Sequence, residues 1–174
     1  YGEQNIPNYK YGHIRFSGTG QKNISFHLLV HDISIENGAT LNAQNFPVTI
    51  TGNWSNNGSF ISTNEVLFQG NDQIISSSTF SSVRFNGNGT KSATGNIIIE
   101  KDITIDNGVT FDGGSYHHSI GRNWNNNGTF LSSGVVEYNG AEQTISSSTF
   151  NTIIFSGGGT KKITGNLTIG GNVN

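Results

Sequence analysis

Two pairs of carboxylates stand in the same relation to the residues around them. Asp32 and Glu36 flank "ISI" within "HDISIENG", and Asp102 and Asp106 flank "ITI" within "KDITIDNG". With His31 and Lys101 adjacent, these are the groups a polysaccharide lyase would use, acids to hold calcium and a base to take a proton. Calcium at Asp32, Glu36, Asp102 and Asp106 is therefore one reading. The ligand count is low, however, and no Asp-x-Asp-x-Asp-Gly loop or Gly-Gly-x-Gly-x-Asp nonapeptide accompanies them. Solvated charges flanking a strand are preferred, and no cofactor is expected.

The two tryptophans offer a second chemistry. Trp54 lies in "NWSNNGSF" and Trp124 in "NWNNNGTF". Exposed rings with polar neighbours would make a ligand-stacking platform for sugars. The structural reading, which is preferred, has each ring capping the core with its indole N–H on a ladder carbonyl or solvent. His117-His118 is the one histidine cluster, but its counterpart in the earlier copy is Pro47-Val48. Adjacent strand residues also face opposite ways, so both cannot ligate one ion without a bend. Surface histidines are expected. "GNGTK" and "GGGTK" have the glycine content of phosphate loops but neither the Walker spacing nor a following helix. The "SSS" runs at 76–78 and 146–148 read as corners, and no serine sits in Gly-x-Ser-x-Gly. Enzymes rarely need the same residues twice at fixed spacing, so no catalysis is expected.

What must position these residues is a repeat. "QIISSSTFSSVRF" at 73–85 returns as "QTISSSTFNTIIF" at 143–155, and "GTKSATGN" at 89–96 as "GTKKITGN" at 159–166. The chain reads as about two and a half copies of a unit of roughly seventy residues, the signature of a repeat architecture. The boundaries fall at about 1–47 (partial), 48–117 and 118–174 (partial), one solenoid cut as a window from a longer array. Each copy holds about four apolar-x-apolar triplets, among them Ile33-Ser34-Ile35, Val83-Arg84-Phe85 and Ile103-Thr104-Ile105. Such alternation marks short strands with one face buried. Gly and Asn between them allow tight corners.

An antiparallel sandwich would place Asn-Gly in hairpin turns. A parallel β-helix fits better, because equivalent segments share their inward and outward pattern. The fold expected is all-β, a β-solenoid of about nine or ten short coils without α-helix, right-handed by the usual crossover preference. At a strand spacing of ~4.8 Å this is a rod of about 45 Å, with the tryptophans four coils apart on one side. The outward residues of the triplets run Arg15, Ser34, Thr49, Leu67, Arg84, Thr104, Glu137, Ile154 and Thr168. Taken as one row, they lack the regular threonines that ice binding would need.

Composition narrows the partners. The net charge is −2 over 174 residues, with 11% charged residues and no Cys or Met. That gives no electrostatic footprint for nucleic acid. It offers no disulfide or thiolate site, and no apolar run long enough for membrane insertion as a helix.

The combined phrases NW-x-NNG-[ST]-F, Q-x-I-x-x-x-x-F, F-x-G-x-GTK and TGN-[IL]-x-I span essentially the whole chain. They resemble the β-strand repeats of long secreted cell-surface adhesins of Bacteroidota, including gliding-type adhesins. The resemblance implies an extracellular, cell-surface location and an adhesive or spacer role, and carries no active site over. The function expected is a non-enzymatic stalk or filament whose partners are neighbouring repeats, end-to-end copies or surface glycans. A tryptophan-lined carbohydrate-binding or carbohydrate-cleaving β-helix is the alternative, and a self-assembling fibre subunit a further one.

Overall fold

The computed structural model describes residues 2–174. Every strand pairing in it is parallel, and no helix occurs among the described residues. The chain winds as a β-solenoid of about nine turns. Three stacks of strands line the coils. Face one carries, among others, Val48–Ile50, Glu65–Phe68, Ser82–Phe85, Ile103–Ile105, Trp124–Asn126, Gln143–Ile145 and Lys161–Ile163. Face two carries Trp54–Asn56, Gln73–Ile75, Gly89–Ala93, Val109–Asp112 and Thr129–Leu131. Face three carries Gly20–Asn23, Ala39–Gln44 and Ser59–Ser62, then Ser78–Phe80, Ile97–Ile99, His117–Ile120, Val135–Tyr138 and Thr152–Phe155. The long strand Leu28–Ile35 bends round a corner and serves two faces, pairing with Val48–Ile50 through residues 28–30 and with Trp54–Asn56 through residues 33–35.

The alternation read from sequence sets which side chains enter. Ile103, Ile105, Val83, Phe85, Val66 and Phe68 are all buried, while Arg84 between two of them is exposed. Each such Val, Ile or Phe contributes roughly 1.5–3 kcal/mol by leaving water. Aromatic rings form a continuous chain through the core. Trp54 lies 4.9 Å from Phe60 and 5.3 Å from Phe80, and the series continues through Phe68, Phe85, Phe111 and Phe130 to Trp124. Phe150, Tyr138 and Phe155 complete it. At the corners the backbones approach closely. A Cβ on Gly140 would collide with the carbonyl of Gly121 in the preceding coil, so no larger residue fits there.

Strand count corrects one expectation. From Trp54–Asn56 to Trp124–Asn126 the chain passes through eleven strands. At three strands per coil, one repeat winds three and two-thirds coils, not four. Trp54 therefore sits on face two and Trp124 on face one, rather than on one side. The nine outward residues read as a single row are likewise divided: Leu67, Arg84 and Thr104 share face one, Ser34 belongs to face two, and Glu137 and Ile154 to face three.

Tyr138 is fully buried, and its hydroxyl is the one buried side-chain polar atom without a partner among the described residues. The equivalent residue is Phe68, whose ring meets Trp54 at 6.3 Å and 78°, as Tyr138 meets Trp124 at 6.3 Å and 76°. An unpaired buried hydroxyl costs free energy that phenylalanine avoids. Tyr138→Phe is expected to raise stability by about 1 kcal/mol in chemical denaturation. A loss of stability would show instead that the hydroxyl is satisfied.

Candidate functional site

The tryptophans are placed by strands of three residues, Trp54–Asn56 and Trp124–Asn126, which begin as the chain leaves a corner. Both rings are buried, with 1% and 0% of their surface exposed. A ring with no free face cannot stack on a sugar, so Trp54 and Trp124 are not a ligand platform. Their N–H groups meet neither a carbonyl nor solvent. Trp54 Nε1 donates to Ser78 Oγ at 2.7 Å, and Trp124 Nε1 to Ser148 Oγ at 2.7 Å. The serine runs thus do more than turn a corner. Ser76 Oγ accepts from the Asn56 N–H and Ser146 Oγ from the Asn126 N–H, each at 2.6 Å.

The carboxylates peg one coil to the next. Asp32 accepts from the Asn53 N–H, and Asp102 accepts from both the N–H and the side-chain amide of Asn123. Each asparagine in turn accepts from the following coil, Asn53 from the Ile74 N–H at 2.8 Å and Asn123 from the Thr144 N–H at 2.9 Å. Asp32 also pairs with His13 at 2.6 Å. Glu36 pairs with Arg15, whose hydrogen bond holds its carboxyl below the usual range. Asp106 pairs with Arg84 at 2.9 Å and accepts from Asn86. No three acidic or histidine side chains converge as a metal site among the described residues. Each of the four carboxylates faces basic or amide donors.

The glycine-rich loops hold a lysine. Lys91 is fully buried, and its ammonium donates to the carbonyls of Gly70, Asn71 and Asn88. Burial pulls it down to about 8 from the usual 10.5. Lys161 repeats the cage with Gly140, Ala141 and Gly158, and Lys22 reaches Thr19 and Gly20. Beside Lys91 in register sits Gln73, equally buried, whose amide accepts from the Gly70 N–H and donates to the Ile50 and Gly52 carbonyls. The same few atoms that suggested a phosphate loop are occupied in closing corners.

The adjacent histidines do face opposite ways, but only one is on the surface. His117 is exposed and bonds Glu137 at 2.9 Å. His118 is 1% exposed. Its Nε2 lies 2.8 Å from the Gly113 carbonyl, and its Nδ1 accepts from the Ile97 N–H at 3.2 Å, which assigns the neutral tautomer protonated on Nε2. The equivalent Val48 is buried at the same station, and that was the available signal.

One feature of the surface has no counterpart in the sequence reading. On face three, no strand pairing joins Ser59–Ser62 to Ser78–Phe80, and on face two none joins Thr129–Leu131 to Ser148–Phe150. The breaks are repeat equivalents, each directly over a tryptophan. A cleft of about 410 Å³ opens at the first, lined by Asn57, Ser59, Phe60, Thr79, Asn96 and Ile98 among others. Its equivalent, about 270 Å³, is lined by Thr129, Phe130, Thr149, Asn166 and Thr168 among others.

No family model, curated protein or solved structure matches the chain.

Two measurements follow from the buried groups. Tryptophan emission is expected to be blue-shifted and insensitive to iodide; red-shifted, quenchable emission would contradict the burial of both indoles. Burial also depresses the His118 pKa below 6.5. The unfolded chain then binds more protons as pH falls through 6.5, so His118 stabilises above that pH and costs stability below it. His118→Val, the residue its counterpart uses, is expected to shallow the loss of Tm between about pH 7 and 5. An unchanged acid limb would remove His118 from that role.

Proposed function

We propose that this chain is a non-enzymatic rod segment of a large extracellular surface protein, a stiff stalk that holds other regions away from the cell. The observation that carries the reading is what the two copies share. Side chains that bind coil to coil are kept: Trp54 and Trp124, Ser78 and Ser148, Gln73 and Gln143, Lys91 and Lys161, Asp32 and Asp102. Many outward positions are not: Leu67 answers to Glu137, Arg84 to Ile154, Ile74 to Thr144 and Ser92 to Lys162. A repeat that retains its internal bonds and varies its surface suits a spacer, whereas a catalytic surface would hold its outward groups fixed. The adhesin-like phrases agree with this, since nearly all of them are bonds between coils or core residues.

Stiffness follows from the same bonds. Each coil is tied to its neighbours by backbone ladders on three sides, or on two where a ladder breaks, so bending opens many hydrogen bonds together. End strands leave ladder groups unpaired, and neighbouring repeats or a second copy would satisfy them. Immunogold labelling of intact producing cells with antibody to this chain tests the placement. Gold standing off the cell surface is the expected result, and bare intact cells whose thin sections carry gold only in the interior would sink the proposal.

A further inference from the structure

The clefts at the two ladder breaks are lined entirely by neutral residues. In the first, Asn57, Ser59 and Thr79 are exposed and make no side-chain hydrogen bond among the described residues; the Asn96 amide nitrogen also donates to none. Together they offer hydroxyls and amides that both donate and accept. Ile98, 44% exposed, and half-buried Phe60 give the same cleft an apolar floor. In the second cleft Thr129, Thr149 and Thr168 are exposed and equally free, with Asn166 beside them.

These positions break the rule that outward residues vary. Asn57 answers to Asn127, Ser59 to Thr129, Thr79 to Thr149 and Asn96 to Asn166, so the hydrogen-bonding character persists through the duplication. Asn96 has a structural reason, since its Oδ1 accepts from the His117 N–H at 3.1 Å. Ser59 and Thr79 have no such bond, and their counterparts have none either. A retained surface group without an internal partner points to an external one. The break adds to this, because each cleft lies between strands that are the edges of separate sheets, where backbone N–H and C=O groups stand open.

The geometry points to a neutral glycan as the occupant, one binding cleft per repeat. A charged ligand would find no counter-charge there, and burying its charge unpaired would be costly. A neutral sugar chain matches the lining in kind, its hydroxyls meeting serine, threonine and asparagine. In the first cleft a C–H face also lies over Ile98 and Phe60, whereas in the second Thr168 replaces Ile98 and Phe130 is buried. Ring stacking on tryptophan has no part in this, since both indoles lie beneath the clefts. Because the repeat winds three and two-thirds coils, the clefts open on different faces, and a longer array would present them in a spiral. Weak single contacts would then add by multivalency.

The test is nuclear magnetic resonance titration of the ¹⁵N-labelled chain with neutral cello-, xylo-, manno- and chito-oligosaccharides, with an oligogalacturonide as the charged control. At least one neutral sugar is expected to shift amides at 57–60, 77–79 and 96–98, and at 127–130, 147–149 and 166–168, while the control shifts none. Thr79→Arg and Thr149→Arg, at exposed positions, should each abolish the shifts of their own cleft and leave the other intact. No shift with any neutral sugar, shifts elsewhere on the rod, or shifts that survive both substitutions would overturn the inference. Such a failure would leave the stalk reading standing, because that reading rests on the bonds between coils.

Discussion

The structure depends on the ladder between one coil and the next. A residue's environment is fixed less by its sequence neighbours than by the residue about one coil away: Ile103 lies over Val83, Phe85 over Phe68, Phe111 over Lys91. Between ladders the chain must turn three corners per coil without leaving buried peptide groups unpaired. Glycine admits the close approach at Gly140, and polar side chains supply what the ladder cannot. Gln73 and Gln143, the caged lysines and the Asp–Asn relays all serve corner backbone groups. Burying Lys91 carries a desolvation cost, offset by three carbonyls aimed at one ammonium. A protein with few charges spends several of them on its own backbone.

The β-solenoid was legible because alternation and repetition are both one-dimensional signals. Period-two patterning says whether a side chain points in or out, and Val83-Arg84-Phe85 or Ile103-Thr104-Ile105 say it plainly. It does not say which face a strand belongs to. That depends on the number of corners, and some strands, such as Trp54–Asn56 and Ser78–Phe80, lack the apolar-x-apolar signature that marks the others. Missing them made a repeat look like four coils and merged three outward rows into one. The site residues failed for a related reason. Carboxylates, histidines and a glycine-rich lysine loop look like chemistry in a list, but each has partners about twenty residues away that only the winding brings near. His118 is the clearest case: a polar residue at a station its copy fills with valine is buried by its column, and satisfied by the Ile97 N–H one coil away together with the nearby Gly113 carbonyl.

The mismatch between eleven strands per repeat and three per coil has a further consequence. Equivalent strands look out on different faces of solvent, yet keep equivalent ladder neighbours and inward contacts: Ile33 and Ile75 flank Trp54 as Ile103 and Ile145 flank Trp124, and Trp54 bonds Ser78 as Trp124 bonds Ser148. The core is therefore tolerant of rotation by a third of a turn, and what the repeat encodes is a local packing unit rather than a face. A duplicated unit of this kind can be appended without matching a face pattern already present. A surface feature tied to that unit, such as the break over each tryptophan, is carried round the rod as the array grows. A row confined to one face is not maintained by such a repeat alone, whereas features distributed around the rod are.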